Sequence, residues 1–271
     1  MNLAYHLNKL GAEVQLISAV GDDMLGRELL RRIGDWGVGV DAVHQDPQHE
    51  TGTVQVTLRD GIPSYQIVEN VAWDYIPLPS FGTTLSRPVI VFGSLALRSS
   101  HNRETLESLL SMYPDAYTVF DINLRKPYVD LDYIASLASR ASLIKVNDEE
   151  LELLLGTGVS RTPSQLADAA RALASKYGCA RICVTAGAHG AGLLDEDDWH
   201  WAAAAPVTVR DTIGAGDSFL SAVVFGLLFT DQTHEQTLAL ANRLAGVVAS
   251  SDGATPDWTV GSDGMPVATG I

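Results

Sequence analysis

Short apolar runs alternate with amphipathic segments along most of this chain. EVQLISAV, PVIVFGSL, YTVFDIN, SLIKVN and ARICVTAG are brief and apolar at successive positions, the pattern of strands buried on both faces. Between them, residues 23–36, 102–113, 130–139, 148–155 and 163–177 repeat apolar positions at helical spacing, several with a Ser or Asp placed to cap them. Such alternation predicts right-handed crossovers and a mainly parallel sheet with helices on both faces, an α/β fold. Ligands of these sheets sit beyond the C-terminal strand ends, and Asn123, Asn147 and Thr185 each fall at such an end. Residues 51–73 break the rhythm. They alternate polar and apolar positions around the turn RDGIP, which predicts a two-stranded ribbon. A lone ribbon is marginally stable and needs something to pair with. The tail from Thr259 has little apolar periodicity and is expected to be loose. With no repeats and no low-complexity linker, residues 1–271 are read as one domain carrying the 51–73 ribbon as an insertion.

Composition narrows the partners. Hydrophobic residues make up 46% of the 271, ample for a sizeable core. Eighteen basic against 33 acidic residues give a net charge of −15, which argues against nucleic acid or an anionic membrane as partner. An anionic ligand must then be drawn in by local amides and a divalent cation. Cys179 and Cys183 precede or join a strand-like run and read as reduced thiols, with no second Cys/His pair nearby for zinc. No secretory signal opens the chain, and its longest apolar stretch, 219–229, is shorter than the ~18–20 residues of a membrane span. The expectation is a cytoplasmic protein.

The most informative segment is DTIGAGDSF at 211–219. Gly214, Ala215 and Gly216 stand where a loop turns into a helix, so consecutive backbone N–H groups can face one concavity. The helix adds its unpaired amides and the positive end of its dipole, a ready site for phosphate. A carboxylate beside a bound phosphate is unfavourable unless it has a proton to accept, so Asp217 reads as a general base. The alternative is an ordinary capped helix start.

This segment resembles the C-terminal signature of the ribokinase-like carbohydrate kinases, and further family motifs recur in order. NLAYHLNKLG (2–11), VGDDMLGRELL (20–30), DINLR (121–125), KVNDEEL (145–151), VTAGAHGA (184–191) and SSDGATP (250–256) follow the family's sequence of motifs. The resemblance implies a three-layer sandwich with a small β-ribbon lid over the sugar, the lid often packing against a second subunit to form a homodimer. It implies transfer of a phosphoryl group from ATP to a sugar hydroxyl, with the fructokinase-like members most similar through VENVAWDYI and DINLR. Asn147 would face the ATP phosphates and Glu150 hold Mg2+ through water, although N-x-x-E at a helix start is equally a capping pair. Thr185, Gly187 and Gly190 would approach the nucleotide, and Asn242 the adenine. Asn2, Ser94, Asn123 and Arg125 would lie on the sugar side. Asp211, Ile213, Val248, Ser251, Gly253 and Asp257 match loops that bind potassium beside the anion hole. Trp73, at the ribbon's end, is placed either to stack on sugar or to pack.

In the family, the helix like NLAYHLNKLG follows a glycine pair, a core strand and lid strands carrying a sugar-binding aspartate. The expectation is that these lie upstream of Met1, or that the chain as given is impaired. Kinases of ribose, nucleosides or ketodeoxygluconate and a non-catalytic sugar- or nucleotide-binding protein of the same fold stand as alternatives. A Walker loop is absent, and GVGVDAV lacks the third glycine of a dinucleotide fingerprint.

Overall fold

The computed structural model describes residues 1–59, 62–80 and 85–269. The chain opens with α1 (Asn2–Leu10), β1 (Ser18–Gly21), α2 (Met24–Asp35) and β2 (Val43–Asp46). β3 (Val54–Arg59), β4 (Ile62–Ile67), β5 (Val89–Gly93), α3 (Ser100–Met112) and β6 (Tyr117–Asp121) come next. α4 (Leu131–Ala138), β7 (Leu143–Asn147), α5 (Asp148–Leu155), α6 (Pro163–Tyr177) and β8 (Arg181–Thr185) continue the alternation. β9 (Ala191–Asp195), β10 (Asp198–Ala202), α7 (Ala215–Phe229), α8 (His234–Ala249), β11 (Trp258–Val260) and β12 (Pro266–Ala268) complete it. Two compact units result: Met1–Glu13, Val89–Ser94 and Tyr117–Ile271 form one, and Val14–Pro88 with Leu95–Ala116 the other.

The first unit is built on a six-stranded sheet in the order β10-β9-β8-β7-β6-β5. β5 to β8 run parallel, and β9 and β10 return antiparallel. Leu143 to Val146 are all buried. Successive strand residues point to opposite faces, so both faces of β7 are covered. α6 packs on β8 and β9, and α8 on β9 and β10. In α7, Ser218 to Val224 are buried without interruption, the signature of a helix enclosed on all sides. Its neighbours are α1 and α8. Among the described residues, no helix is long and apolar enough to cross a membrane.

The second unit holds the parallel pair β1–β2 and the antiparallel pair β3–β4. The predicted ribbon is therefore present, although Asp60 and Gly61 of its RDGIP turn lie outside the described residues. Asp23 caps α2 by accepting from the Gly26 amide at 2.7 Å, and the same carboxylate accepts from the Thr51 amide at 2.7 Å. Those amides hold its pKa below the usual carboxylate range. At the ribbon's exit, Arg98 makes a two-point pair with buried Asp74, both bonds 2.8 Å, and donates to the Val68 carbonyl at 2.7 Å. The guanidinium lies 4.1 Å from the centre of the Trp73 ring. Trp73 is thus committed to packing within its own unit.

Two expectations need correction. Of EVQLISAV, only residues from Ser18 onward form a strand, because β1 pairs with β2, which has no apolar run to announce it. The tail from Thr259 to Thr269 is ordered, not loose. β11 and β12 pair antiparallel, Trp258 is buried, and Arg243 of α8 donates to the Pro266 carbonyl at 2.9 Å. One buried aromatic and one long-range hydrogen bond do what periodicity does elsewhere.

Removing one member of a buried, two-point ion pair leaves the other charge desolvated and uncompensated. Arg98→Met should therefore lower unfolding stability by about 3–5 kcal/mol, read from the midpoint of a urea titration at constant slope.

Candidate active site

The phosphate-binding candidate begins at Gly214, which caps α7 with φ +80°. A Cβ there would lie 2.6–2.9 Å from Ala254 atoms, so both backbone conformation and space require glycine. The Ala215 amide bonds back to the Thr212 carbonyl at 3.3 Å, and the Ser218 amide to the Gly214 carbonyl at 2.9 Å. First-turn amides of a helix have no carbonyl one turn earlier, so those of Gly216 and Asp217 face forward with the positive end of the α7 dipole.

Asp217 lies half-buried in that turn. Asn2 of α1 donates from Nδ2 to Asp217 Oδ2 at 2.8 Å. The sequence assigned Asn2 to the sugar, and its hydrogen bond is to the candidate base. Ser221, one turn along α7, donates to the Leu3 carbonyl at 3.1 Å, so α1 is keyed to α7 at two levels.

Beneath the turn is a residue that the sequence reading missed. Lys145 is buried in β7, its Nζ 3.3 Å from where a Cβ of residue 216 would stand, and 3.1 Å from Asp121 Oδ1. Burial works against its charge, but Asp121, Glu150 and Asp217 outweigh it and hold the lysine pKa above normal. Burial pushes the Asp121 carboxyl up, with the ammonium opposing. The available signal was a lysine set inside an otherwise apolar strand, SLIKVN.

Asn147 and Glu150 form a complete capping box at the start of α5. Asn147 Oδ1 accepts from the Glu150 amide at 2.8 Å, and Glu150 Oε2 from the Asn147 amide at 2.9 Å. Glu150 Oε1 also accepts from the Leu124 amide at 2.8 Å, which ties α5 to the DINLR segment. Each carboxylate oxygen keeps a second lone pair, so the capping role leaves room for a water-mediated magnesium contact. No group of three or more His, Cys, Asp or Glu arranged to hold a metal occurs among the described residues.

The remaining candidates separate into two sets. Asn123 has a left-handed backbone, φ +41°, and its carbonyl accepts from Ser94 Oγ at 3.3 Å, so these two are adjacent. Arg125 is exposed and donates to the neighbouring Leu124 carbonyl at 3.2 Å. On the β8–β10 side, Thr185 lies within 3.5 Å of the Val146 carbonyl. Gly187 opens to free space, whereas any side chain at Gly190 would strike the Ala202 carbonyl. Asn242 donates to that same carbonyl at 2.9 Å. Gly190 and Asn242, both assigned to nucleotide, thus share a partner within the chain.

Among the potassium candidates, the Asp211 carboxylate accepts from the Ile213 amide at 2.9 Å, and the Val248 carbonyl accepts from the Ser251 amide at 3.0 Å. The Ser251 hydroxyl donates to the Val247 carbonyl at 2.8 Å, Gly253 has φ +76°, and Asp257 pairs with Lys9. Both cysteines are free and buried, and burial pushes the Cys183 thiol up to about 12.

A family model described as pfkB family carbohydrate kinase matches residues 1–260. The chain is 33% identical over 239 residues to aminoimidazole riboside kinase of Salmonella typhimurium, covering 84% of this chain and 71% of that protein. It is 28% identical over 272 residues to a fructokinase of Escherichia coli, covering 93% and 85%. The crystal structure of aminoimidazole riboside kinase from Salmonella enterica, complexed with aminoimidazole riboside and an ATP analog, superposes with a TM-score of 0.76. That match has 29% identity and covers 94% of this chain and 85% of that one.

The Lys145–Asp121 pair makes a prediction by subtraction. Lys145→Met should cost about 3–5 kcal/mol by stranding a buried carboxylate, and Lys145→Met with Asp121→Asn should recover most of that loss. Denaturant titration of the wild type, both single variants and the double variant measures the coupling.

Proposed function

Because the chain belongs to the pfkB family of carbohydrate kinases, we propose that it transfers the γ-phosphoryl group of ATP to a hydroxyl of a fructose-like sugar. The observation that carries this reading is the Asp217 carboxylate inside a glycine-started helix N-terminus, oriented by Asn2. Asn2 occupies Oδ2, so the sugar hydroxyl would hand its proton to Oδ1 as its oxygen attacks the phosphorus. Within the 214–217 segment, the amides of Gly216 and Asp217 would take up the negative charge of the transferring phosphoryl group, the Ala215 amide being bonded to the Thr212 carbonyl. Lys145 adds a fixed positive charge below them in a chain that is otherwise strongly acidic.

Magnesium would enter with ATP and neutralise its phosphates. Glu150, with Asn147 beside it, would orient that ion through water, the mode magnesium favours. Thr185, Gly187 and Asn242 are assigned to the nucleotide side, and Ser94 and Asn123 to the sugar side. The loops around Asp211 and Ser251 are assigned to a potassium ion next to the anion hole. A riboside acceptor is the second reading, favoured by the 33% identity to an aminoimidazole riboside kinase. Turnover with MgATP on fructose, ribose and a riboside in parallel separates the two.

Two substitutions test the assignment of roles. Asp217→Asn keeps shape and removes basicity, so kcat should fall by roughly 10²–10⁴ while calorimetric nucleotide affinity stays close to wild type. Retention of near-normal turnover would remove Asp217 from the mechanism. Glu150→Gln keeps one amide acceptor and loses the charge, so the magnesium concentration for half-maximal rate should rise. An unchanged magnesium dependence would leave Glu150 as a helix cap alone.

A further inference from the structure

α1 carries a histidine for which the proposed reaction has no use. His6 is 0% exposed, and each ring nitrogen has its own partner. Nε2 lies 3.0 Å from the Ala254 carbonyl oxygen, and Nδ1 lies 3.2 Å from Trp258 Nε1. An indole nitrogen only donates and a carbonyl only accepts. Nδ1 must therefore accept and Nε2 carry the proton, which makes the imidazole neutral and fixes its tautomer. Burial holds its pKa below the ordinary histidine value, in the same direction.

The carbonyl that His6 holds is the one pressed against the start of α7. A Cβ at Gly214 would lie 2.9 Å from the Ala254 oxygen and 2.8 Å from its Cα. The left-handed turn at Gly214 is thus seated directly on Ala254. Other α1 side chains grip the same loop farther along. Tyr5 donates to the Pro256 carbonyl at 2.9 Å, and Lys9 pairs with Asp257. Tyr5, itself buried, and Lys9 act on the loop's far end. Of these three, His6 is the one that reaches, through one hydrogen bond, the atom that backs the phosphate-binding turn.

We infer that His6 is a positioning residue for that turn: its Nε2–H fixes the Ala254 carbonyl behind Gly214 and thereby sets the aim of the Gly216 and Asp217 amides. The site asks for a buried group with a donor on one side and an acceptor on the other. A leucine of similar bulk supplies neither and strands both the Trp258 N–H and the Ala254 carbonyl. A glutamine supplies both. The inference rests on the kinase reading for its catalytic consequence; the positional consequence is independent of it.

The test uses the full chain as wild type, His6→Leu, His6→Gln and Trp258→Phe, with steady-state kinetics and amide hydrogen exchange. His6→Leu should lower kcat on the order of ten- to a hundred-fold with the sugar KM little changed, because a displaced turn costs transition-state contacts. Exchange should accelerate in 211–218 and 251–257 and stay at wild-type rates in β6 to β8. His6→Gln should recover most of both effects. Unaltered kcat and exchange in His6→Leu, exchange that rises evenly through the sheet, or a His6→Gln variant no better than His6→Leu would each overturn the inference. Trp258→Phe leaves the imidazole but frees Nδ1, so the same two segments should loosen by a smaller factor. No local loosening there overturns the inference even if His6→Leu does not fold. A wild type without activity on any acceptor would refute the kinase reading, and the exchange results would still decide the role of His6.

Discussion

Three carboxylates, Asp121, Glu150 and Asp217, act on one buried ammonium, that of Lys145. In a chain of net charge −15 this is the arrangement on which the rest of the site depends. Without the lysine, three carboxylates would stand together uncompensated. With it, Asp121 is paired at 3.1 Å, while Asp217 in the first turn of α7 takes its hydrogen bond from Asn2. The ammonium also lies close under the turn, 3.3 Å from where a side chain at residue 216 would begin.

A second constraint comes from α1. Four of its residues, Ala4 to Leu7, are buried, and its polar groups reach α7 and the loop ahead of β11 at once. Asp217, the glycine turn and the loop behind that turn are therefore held by one short helix. That economy has a structural reason. α7 is enclosed on all sides, so its placement is set by the helices packed on it, α8 and α1, and α1 is the one whose Asn2 reaches Asp217.

Much of this was legible from the sequence because it is local. Helices over 23–36, 148–155 and 163–177 announced themselves by spacing and caps, and Met24–Asp35, Asp148–Leu155 and Pro163–Tyr177 are where they form. DTIGAGDSF declared a helix start with an acid in its first turn, and Gly214 and Asp217 occupy those places. What the pattern concealed depends on contacts far apart in the chain. β2 has a polar middle and forms because β1 lies beside it. Lys145 reads as an ordinary strand residue until Asp121 and Gly216 close over it. The Asn2 amide bonds to Asp217, 215 residues away, a contact that no local pattern announces. Gly190 and Asn242, 52 residues apart, meet at Ala202 in the same way.

The same long separations carry a consequence for how the chain acquires its shape. The His6–Ala254 and Lys9–Asp257 contacts each span 248 residues. During synthesis at about 5–20 residues per second, α1 would wait roughly 10–50 seconds before its partners leave the ribosome. Until then α1, with Tyr5 and Leu7 on its buried face, lacks the loop ahead of β11 that its polar groups grip. The helix that holds Asp217 thus completes its contacts only when the C-terminal loop has been made, late in the life of the nascent chain.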